Sequence, residues 1–160
     1  MNTKTSQSAQ YWLMKSEPDC FSIDDLKRNK VEPWDGIRNY QVRNMIRDDM
    51  HIGDHVLFYH SNAKEIGVVG EMKIVSEAYP DPTQFDSKSD HPDPKSKKEN
   101  PTWLLVDVKF IQKFPRIVTL NELKLDPKLE GMIVTKKGSR LSITPVSKKH
   151  FEYVVKLAKA

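Results

Sequence analysis

The segment Trp34-Asp35-Gly36-Ile37-Arg38-Asn39 combines side chains that could hold a flat heterocycle beside a phosphate. Trp34 offers a planar π surface, and Gly36 allows a tight turn. Arg38 and Asn39 supply a guanidinium and an amide where the sequence predicts the start of a helix. Aromatic stacking and convergent hydrogen bonds are the means by which proteins hold an unstacked nucleobase. The alternative for Trp34 is a core residue that fixes the turn, because tryptophan is largely buried on average.

The composition is that of a folded globular protein of one domain. The chain has 160 residues, of which 30% are charged and 9% are aromatic, and this length suffices for a hydrophobic core. Residues 1–9 are polar and are predicted to be a disordered lead without a secretory signal, so we expect a cytoplasmic protein and, by default, a monomer. The single cysteine, Cys20, excludes an intramolecular disulfide and a cysteine-rich zinc site, and we expect it to be at least half-buried.

Positive charge is concentrated near the carboxyl end of the sequence. The net charge is +4, but residues 131–160 hold a single acid, Glu152, and seven basic residues, namely Lys136, Lys137, Arg140, Lys148, Lys149, Lys156 and Lys159. A localised basic face attracts phosphate groups and so favours a nucleic-acid partner. The alternative is a solvated helix surface with ordinary lysines.

Periodicity and capping residues predict an α+β fold. Strands are predicted at residues 10–15, 55–60, 66–79 (single or bent at Gly70), 103–113 and within 138–143. Four short helices are predicted after caps at Ser22, Asn39, Thr119 and Ser147. Because strands and helices do not alternate strictly, we expect a small, mostly antiparallel, curved sheet or barrel with flanking helices. Residues 79–101 contain five of the ten prolines and are predicted to be a functional or disordered loop.

No constellation typical of an enzyme stands out. The sequence lacks a glycine-rich phosphate loop, so nothing supports nucleotide hydrolysis or dinucleotide binding. His51 and His55 have the spacing of a helical metal site, but Gly53 between them breaks the helix. We therefore predict neither metal nor cofactor and no catalytic activity, with a nucleic-acid-processing enzyme as the less favoured alternative.

Five blocks of sequence, taken together, resemble the EVE domain family. They are YWLMKSEP at 11–18, PWDGIRNYQVRN at 33–44, GDHVLFYHSN at 53–62, AYPDPTQFD at 78–86 and GSRLS at 138–142. The resemblance extends over 10–160, which would form a single domain. It implies a PUA-like pseudo-barrel, kinship with the YTH domains that bind methylated adenine in RNA, and recognition of modified bases, with modified cytosine in DNA favoured.

The resemblance also implies a set of site residues. Trp34 would be a wall of the base pocket, and the residues near its rim or floor would be Lys15, Ser16, Asn39, Tyr59, His60 and Ser61. Arg140 and Ser142, in the last block, would face the same cleft. For Tyr59, a position in the hydrophobic core is as well supported as one in the pocket. A histidine at the end of a strand, such as His60, more often caps the strand than binds a ligand. Trp34→Ala should abolish binding with little change in melting temperature.

Basic residues in two parts of the chain could hold the phosphates that flank a bound base. Flanking phosphates could be held by Arg38, Arg43, Arg47, Lys136, Lys137 and Arg140, which would make binding sensitive to salt. The favoured function is a non-catalytic module that accommodates a flipped, modified base, in DNA or RNA. The main alternative is a general RNA-binding PUA-like module without preference for a modification, and a protein-interaction scaffold is a third possibility.

Overall fold

A six-stranded mixed sheet forms the centre of the molecule in the computed structural model, which describes residues 8–160. The strands are β1 (Tyr11–Ser16), β2 (Val31–Pro33), β3 (His55–His60), β4 (Gly67–Ile74), β5 (Tyr79–Pro80), β6 (Leu104–Leu105), β7 (Asp107–Thr119) and β8 (Ile143–Val146). The sheet order is β2-β7-β4-β3-β1-β8, in which only β1 and β3 run parallel. Strands β5 and β6 pair separately.

Within the part of the chain that the structure describes, four α-helices flank the sheet, as predicted. They are α1 (Ile23–Asn29), α2 (Tyr40–Asp48), α3 (Leu120–Leu125) and α4 (Lys148–Lys159). Each begins after its predicted cap: the side chains of Ser22, Asn39, Thr119 and Ser147 accept hydrogen bonds from backbone N–H groups of the first turn. The α+β prediction is confirmed.

The two faces of the sheet cover two separate hydrophobic cores. Successive strand side chains point to opposite faces, so Phe58 packs in the first core and its neighbours Leu57 and Tyr59 pack in the second. The first core contains Trp34 and the buried residues of α1 and α2, whereas α4 covers the second. This alternation decides which residues of β3 can reach a given cleft.

Strands β4 and β7 approach each other closely at two positions of β4 that are occupied by glycine. A Cβ atom at Gly67 would lie 2.2 Å from the carbonyl oxygen of Val118, and one at Gly70 would lie 2.6 Å from that of Gln112. The pairing also shifts register between Val68 and Gly70. This irregularity lets β7 continue past Pro115, which cannot donate to a regular ladder, and explains why the strand is longer than predicted.

The proline-rich loop predicted at 79–101 begins after β5 and ends before β6, so it comprises residues 81–103. Hydrogen bonds to one buried amide hold this loop. Gln84 is 1% exposed; its Nε2 donates to the carbonyls of Asp81 and Trp103, and its Oε1 accepts from Ser96 and from the backbone N–H of Trp103. The indole N–H of Trp103 donates to Asp93 at 2.7 Å. The loop therefore has a defined conformation and can form part of a site.

Two expectations concern single features of the chain. The sequence predicts that Cys20 is at least half-buried, but it is exposed, because it lies in the turn between β1 and α1. The predicted disordered lead, residues 1–9, falls largely outside the described residues. Across residues 8–160, we find no helix with the length and apolar character needed to cross a membrane.

Candidate functional site

A cleft of about 460 Å³ opens beside the turn that joins β2 to α2. The residues of this turn that line it are Trp34, Asp35, Gly36 and Ile37. From the end of β1 and the following turn come Lys15, Ser16, Cys20 and Phe21. The remaining wall includes Glu32, Asp90, His91 and Ser142. The volume of the cleft lies within the roughly 300–1,000 Å³ range that is typical of small-ligand pockets.

Trp34 is a buried residue that nevertheless borders this cleft. The residue is 8% exposed, and its ring meets those of Phe21 and Phe58 nearly at right angles, with centroids 6.2 and 5.5 Å away. Its backbone N–H donates to the carbonyl of Val106. The ring is therefore fixed from behind by the first core, and the cleft presents a rigid aromatic wall.

Three polar residues that the sequence predicted for the site line the cleft. Lys15 and Ser142 are joined by a backbone hydrogen bond of 2.8 Å between β1 and the segment before β8. Burial lowers the pKa of Lys15, whose Nζ lies 5.9 Å from the ring centroid of Tyr59. The hydroxyl of Ser16 donates to the carbonyl of Phe21 at 2.5 Å, so toward a ligand this hydroxyl can only accept.

The lining carries more acid than base. The lining includes one lysine, Lys15, and three acidic residues, Glu32, Asp35 and Asp90. Burial, followed by the charge of Asp81, raises the pKa of Asp35. Such a lining repels phosphate and favours a ligand that donates hydrogen bonds.

A buried carboxylate connects the turn to the proline-rich loop. Asp81 is fully buried, and it accepts hydrogen bonds from the N–H of Gly36, from Arg38, and from the N–H and hydroxyl of Thr83. Burial raises the pKa of Asp81, but the bonds from Thr83, Gly36 and Arg38 outweigh it and leave this pKa lowered. The ionised carboxylate thus fixes the loop that brings His91 to the cleft.

Arg38 supports the loop and is not available for a phosphate. Its five N–H groups are all engaged, with the carbonyl of Ile37, Asp81, Thr83 and, twice, the carbonyl of His91. Its guanidinium carbon also lies 5.6 Å from the ring centroid of Trp103. The predicted phosphate contact at Arg38 is therefore replaced by a structural role.

The structure places Tyr59 and His60 away from the cleft. Tyr59 is 3% exposed in the second core, and burial raises its pKa to about 12. His60 lines a different cleft together with Lys113, and its Nε2 accepts the N–H of Ile23 at the start of α1. Burial lowers the pKa of His60, consistent with a neutral ring that caps the helix. Neither of these residues, which the sequence proposed for the base pocket, lines the cleft beside Trp34.

Four further predicted residues lie outside the cleft lining that residues 8–160 form. Asn39 is exposed, and its carbonyl oxygen is occupied by the capping bond to the N–H of Val42. Ser61 is joined to β1 through a backbone bond to Ser16. On α2, Arg43 donates to the carbonyl of Thr102, and Arg47 forms two bonds with the neighbouring Asp48. These contacts stabilise the helix and the loop beside it.

The basic residues of the segment before β8 are exposed. Lys136, Lys137 and Arg140 precede Ser142, which lines the cleft. Their position is compatible with contacts to phosphates that flank a base in the cleft. Across residues 8–160, His, Cys, Asp and Glu form no cluster of three that could hold a metal ion.

Sequence reasoning missed several residues of the cleft, chief among them Phe21, Asp35 and His91. Asp35 lies inside the segment with the most suggestive chemistry, but nothing in the sequence indicated a partner for it. His91 lies 4.0 Å from Asp35 across the cleft wall although the two are far apart in the chain. Hydrogen bonds to Asp81 join these segments, but they link residues that are far apart in the chain, so no local sequence pattern predicts them.

Comparison with known proteins agrees with this architecture. The model of the EVE domain matches residues 10–157. The chain belongs to the EVE domain family. A curated relative, human thymocyte nuclear protein 1, is 44% identical over an alignment that covers 93% of this chain and 74% of that protein.

Solved structures of EVE relatives have the same fold. A hypothetical protein from Leishmania major superposes with a TM-score of 0.90 at 47% identity, covering 94% of this chain and 95% of that one. A crystal structure of human THYN1 protein in complex with 5-methylcytosine-containing DNA gives a TM-score of 0.88 at 43% identity, covering 95% of this chain and 99% of that one.

Proposed function

We propose that this protein is a non-catalytic nucleic-acid-binding module that accommodates one flipped, modified base in the cleft beside Trp34, with 5-methylcytosine in DNA as the favoured ligand. The single observation that carries the proposal is the rigid indole at the wall of a cleft whose polar side chains are mostly hydrogen-bond acceptors. The complex of the similar human protein with methylated DNA supports the choice of ligand.

The electrostatics of the cleft favour a base over a phosphate. Three acidic residues and one lysine line it, whereas the exposed Lys136, Lys137 and Arg140 are not among the lining residues. A base that leaves its stack would thus enter the acidic cleft while its phosphates remain near the basic segment. Extrusion costs a few kcal/mol and is least for a single strand, and contact with an aromatic ring returns about 1–3 kcal/mol.

The methyl group adds a modest preference. Burial of one methyl contributes about 0.8 kcal/mol, which corresponds to roughly a fourfold difference in affinity. Trp34, Phe21 and Ile37 supply the apolar surface against which a methyl can be buried.

The test is binding to two single-stranded oligonucleotides of the same sequence, one with a central cytosine and one with a central 5-methylcytosine. At fixed salt we expect the methylated strand to bind about fourfold more tightly. Equal affinity for both strands would contradict modified-base recognition and favour a general nucleic-acid-binding module. Turnover of the oligonucleotide during incubation would contradict a non-catalytic role.

Neutralisation of phosphates by the basic segment predicts a change in salt dependence. For Lys136→Ala/Lys137→Ala, the slope of log affinity against log salt should become shallower by about 0.7 for each phosphate that the protein no longer neutralises. The matched control is Lys156→Ala/Lys159→Ala, which removes the same charge from exposed positions in the last turn of α4. Equal slopes for the two double variants would contradict a phosphate role for Lys136 and Lys137.

A further inference from the structure

A carboxyl group and an imidazole ring lie side by side in the wall of the cleft. Oδ1 of Asp35 is 4.0 Å from Nε2 of His91, and both residues line the cleft that Trp34 borders. Their side chains are 45% and 30% exposed, so a ligand can reach them. What this pair can bind depends on which nitrogen of His91 carries the proton.

The partners of Thr83 fix that proton. The Thr83 hydroxyl has one hydrogen, and it donates this hydrogen to Oδ1 of Asp81 at 2.6 Å. The same hydroxyl oxygen lies 2.9 Å from Nδ1 of His91, so there it accepts, and we infer that Nδ1 carries the proton. Nη2 of Arg38 also lies 3.5 Å from Nδ1, but its two hydrogens are directed to Thr83 and to the carbonyl of His91 at shorter distances. The other ring nitrogen, Nε2, is then an acceptor in the neutral ring.

The ring of His91 is also fixed in position. Arg38 donates to the backbone carbonyl of His91 through Nη2 at 2.7 Å and through Nε at 3.1 Å. A Cβ atom at Gly36 would lie 2.9 Å from Nε2, so the turn packs directly against the ring. The acceptor is therefore preorganised next to Asp35.

We propose that Asp35 and His91 together recognise the exocyclic amino group of the bound base, and that they select cytosine-type over thymine-type pyrimidines. This inference rests on the proposed function, because it requires a base in the cleft. The two N–H bonds of one amino group can each reach one acceptor at about 2.9 Å. A carboxylate that accepts from the amino group of cytosine is an established recognition chemistry.

A keto oxygen in place of the amino group would face two acceptors without a hydrogen between them. The discrimination of a good two-bond contact amounts to roughly 5- to 150-fold in affinity. This exceeds the roughly fourfold contribution of a methyl group. Asp35 and His91 would therefore select cytosine-type over thymine-type bases, and the apolar wall would favour the methylated form of the base.

Four single-stranded oligonucleotides that differ at one central base separate these two effects. Cytosine and 5-methylcytosine carry the amino group, whereas uracil and thymine carry the keto group; within each pair only the methyl differs. For the unmodified protein at fixed salt, we expect 5-methylcytosine to bind at least about tenfold more tightly than thymine. Equal affinity for 5-methylcytosine and thymine would overturn the inference without any variant.

The variant Asp35→Asn tests whether Asp35 causes the preference for bases that carry the amino group. Asparagine has nearly the same shape but can turn an N–H toward a keto oxygen, so the ratio of 5-methylcytosine to thymine affinity should fall to about threefold or less. The ratio of 5-methylcytosine to cytosine affinity should not change. The control Asp19→Asn removes the same charge at an exposed position outside the cleft lining and should keep both ratios.

The outcomes of this experiment distinguish the two proposals. An unchanged amino-to-keto ratio in Asp35→Asn overturns the role of the pair, even where the methyl preference persists. An amino preference that Asp35→Asn removes, with no methyl preference, supports the pair and contradicts modified-base recognition. Failure of the protein to bind any of the four strands overturns both.

Discussion

Trp34→Ala should weaken binding to a strand with a central 5-methylcytosine by roughly 5- to 150-fold, because contact between a base and an aromatic ring is worth about 1–3 kcal/mol. The same variant should lower the free energy of unfolding by about 3–5 kcal/mol. The sequence predicts little effect on folding, but the residue is 8% exposed and its ring packs against Phe21 and Phe58. Affinity from a binding titration and stability from denaturant unfolding check the two effects.

Leu123→Ala is the matched control for Trp34→Ala. Leu123 is 1% exposed and belongs to the second core, on the other face of the sheet. Its replacement should lower the free energy of unfolding by about 2–5 kcal/mol but leave the affinity of the folded protein unchanged. An equal decrease of affinity in the two variants would show that destabilisation alone weakens binding, and would contradict a base contact at Trp34.

Asp81→Asn should lower the free energy of unfolding by about 3–5 kcal/mol, as expected when one partner of a buried ion pair is removed. The carboxylate is fully buried and accepts from Gly36, Arg38 and Thr83. An amide has one acceptor oxygen and would turn its N–H₂ toward some of these donors. Amide hydrogen exchange should also accelerate in the loop of residues 81–103, since Asp81 joins it to the turn before α2. Because this loop brings His91 to the cleft, binding of the oligonucleotide should also weaken.

The pH dependence of stability offers a second measurement of the same residue. Because the pKa of Asp81 is lowered in the folded protein, its contribution is complete above the unfolded pKa of about 3.9 and is lost as the pH falls through the folded value. The difference in stability between the unmodified protein and Asp81→Asn should therefore shrink below about pH 4. The control Asp86→Asn, an exposed carboxyl in the same loop, should change stability by less than about 0.5 kcal/mol. A difference that persists at acid pH would contradict an ionised Asp81.

The local parts of the fold could be predicted from sequence because their causes lie within a few residues. Ser22 and Asp25 form the capping box that begins α1, and β3 has the bounds that its alternation and the preceding Gly53 indicate. Asn39 shows the limit of this reasoning. The same side chain that predicted the start of α2 is used by the cap itself, which explains why it does not reach the cleft.

The site was only partly predictable because its residues are joined by contacts that are distant in the chain. Four of the residues that the sequence proposed for the site line the cleft, namely Trp34, Lys15, Ser16 and Ser142. Whether Tyr59 faces the cleft depends on which side of β3 packs against α4, and alternation alone does not determine this. The positions of Asp35 and His91 depend on hydrogen bonds to the buried Asp81 and Thr83.

The indole N–H signals of the three tryptophans test the central claim most directly. Trp12 is 2% exposed and donates to the buried Asp54, and it is outside the cleft lining, so it serves as an internal reference. In a ¹⁵N-labelled protein titrated with a single strand containing one 5-methylcytosine, the Trp34 signal should shift and saturate together with binding, while that of Trp12 stays in place. Binding of the strand with no change in the Trp34 signal would contradict a base-binding cleft at this residue.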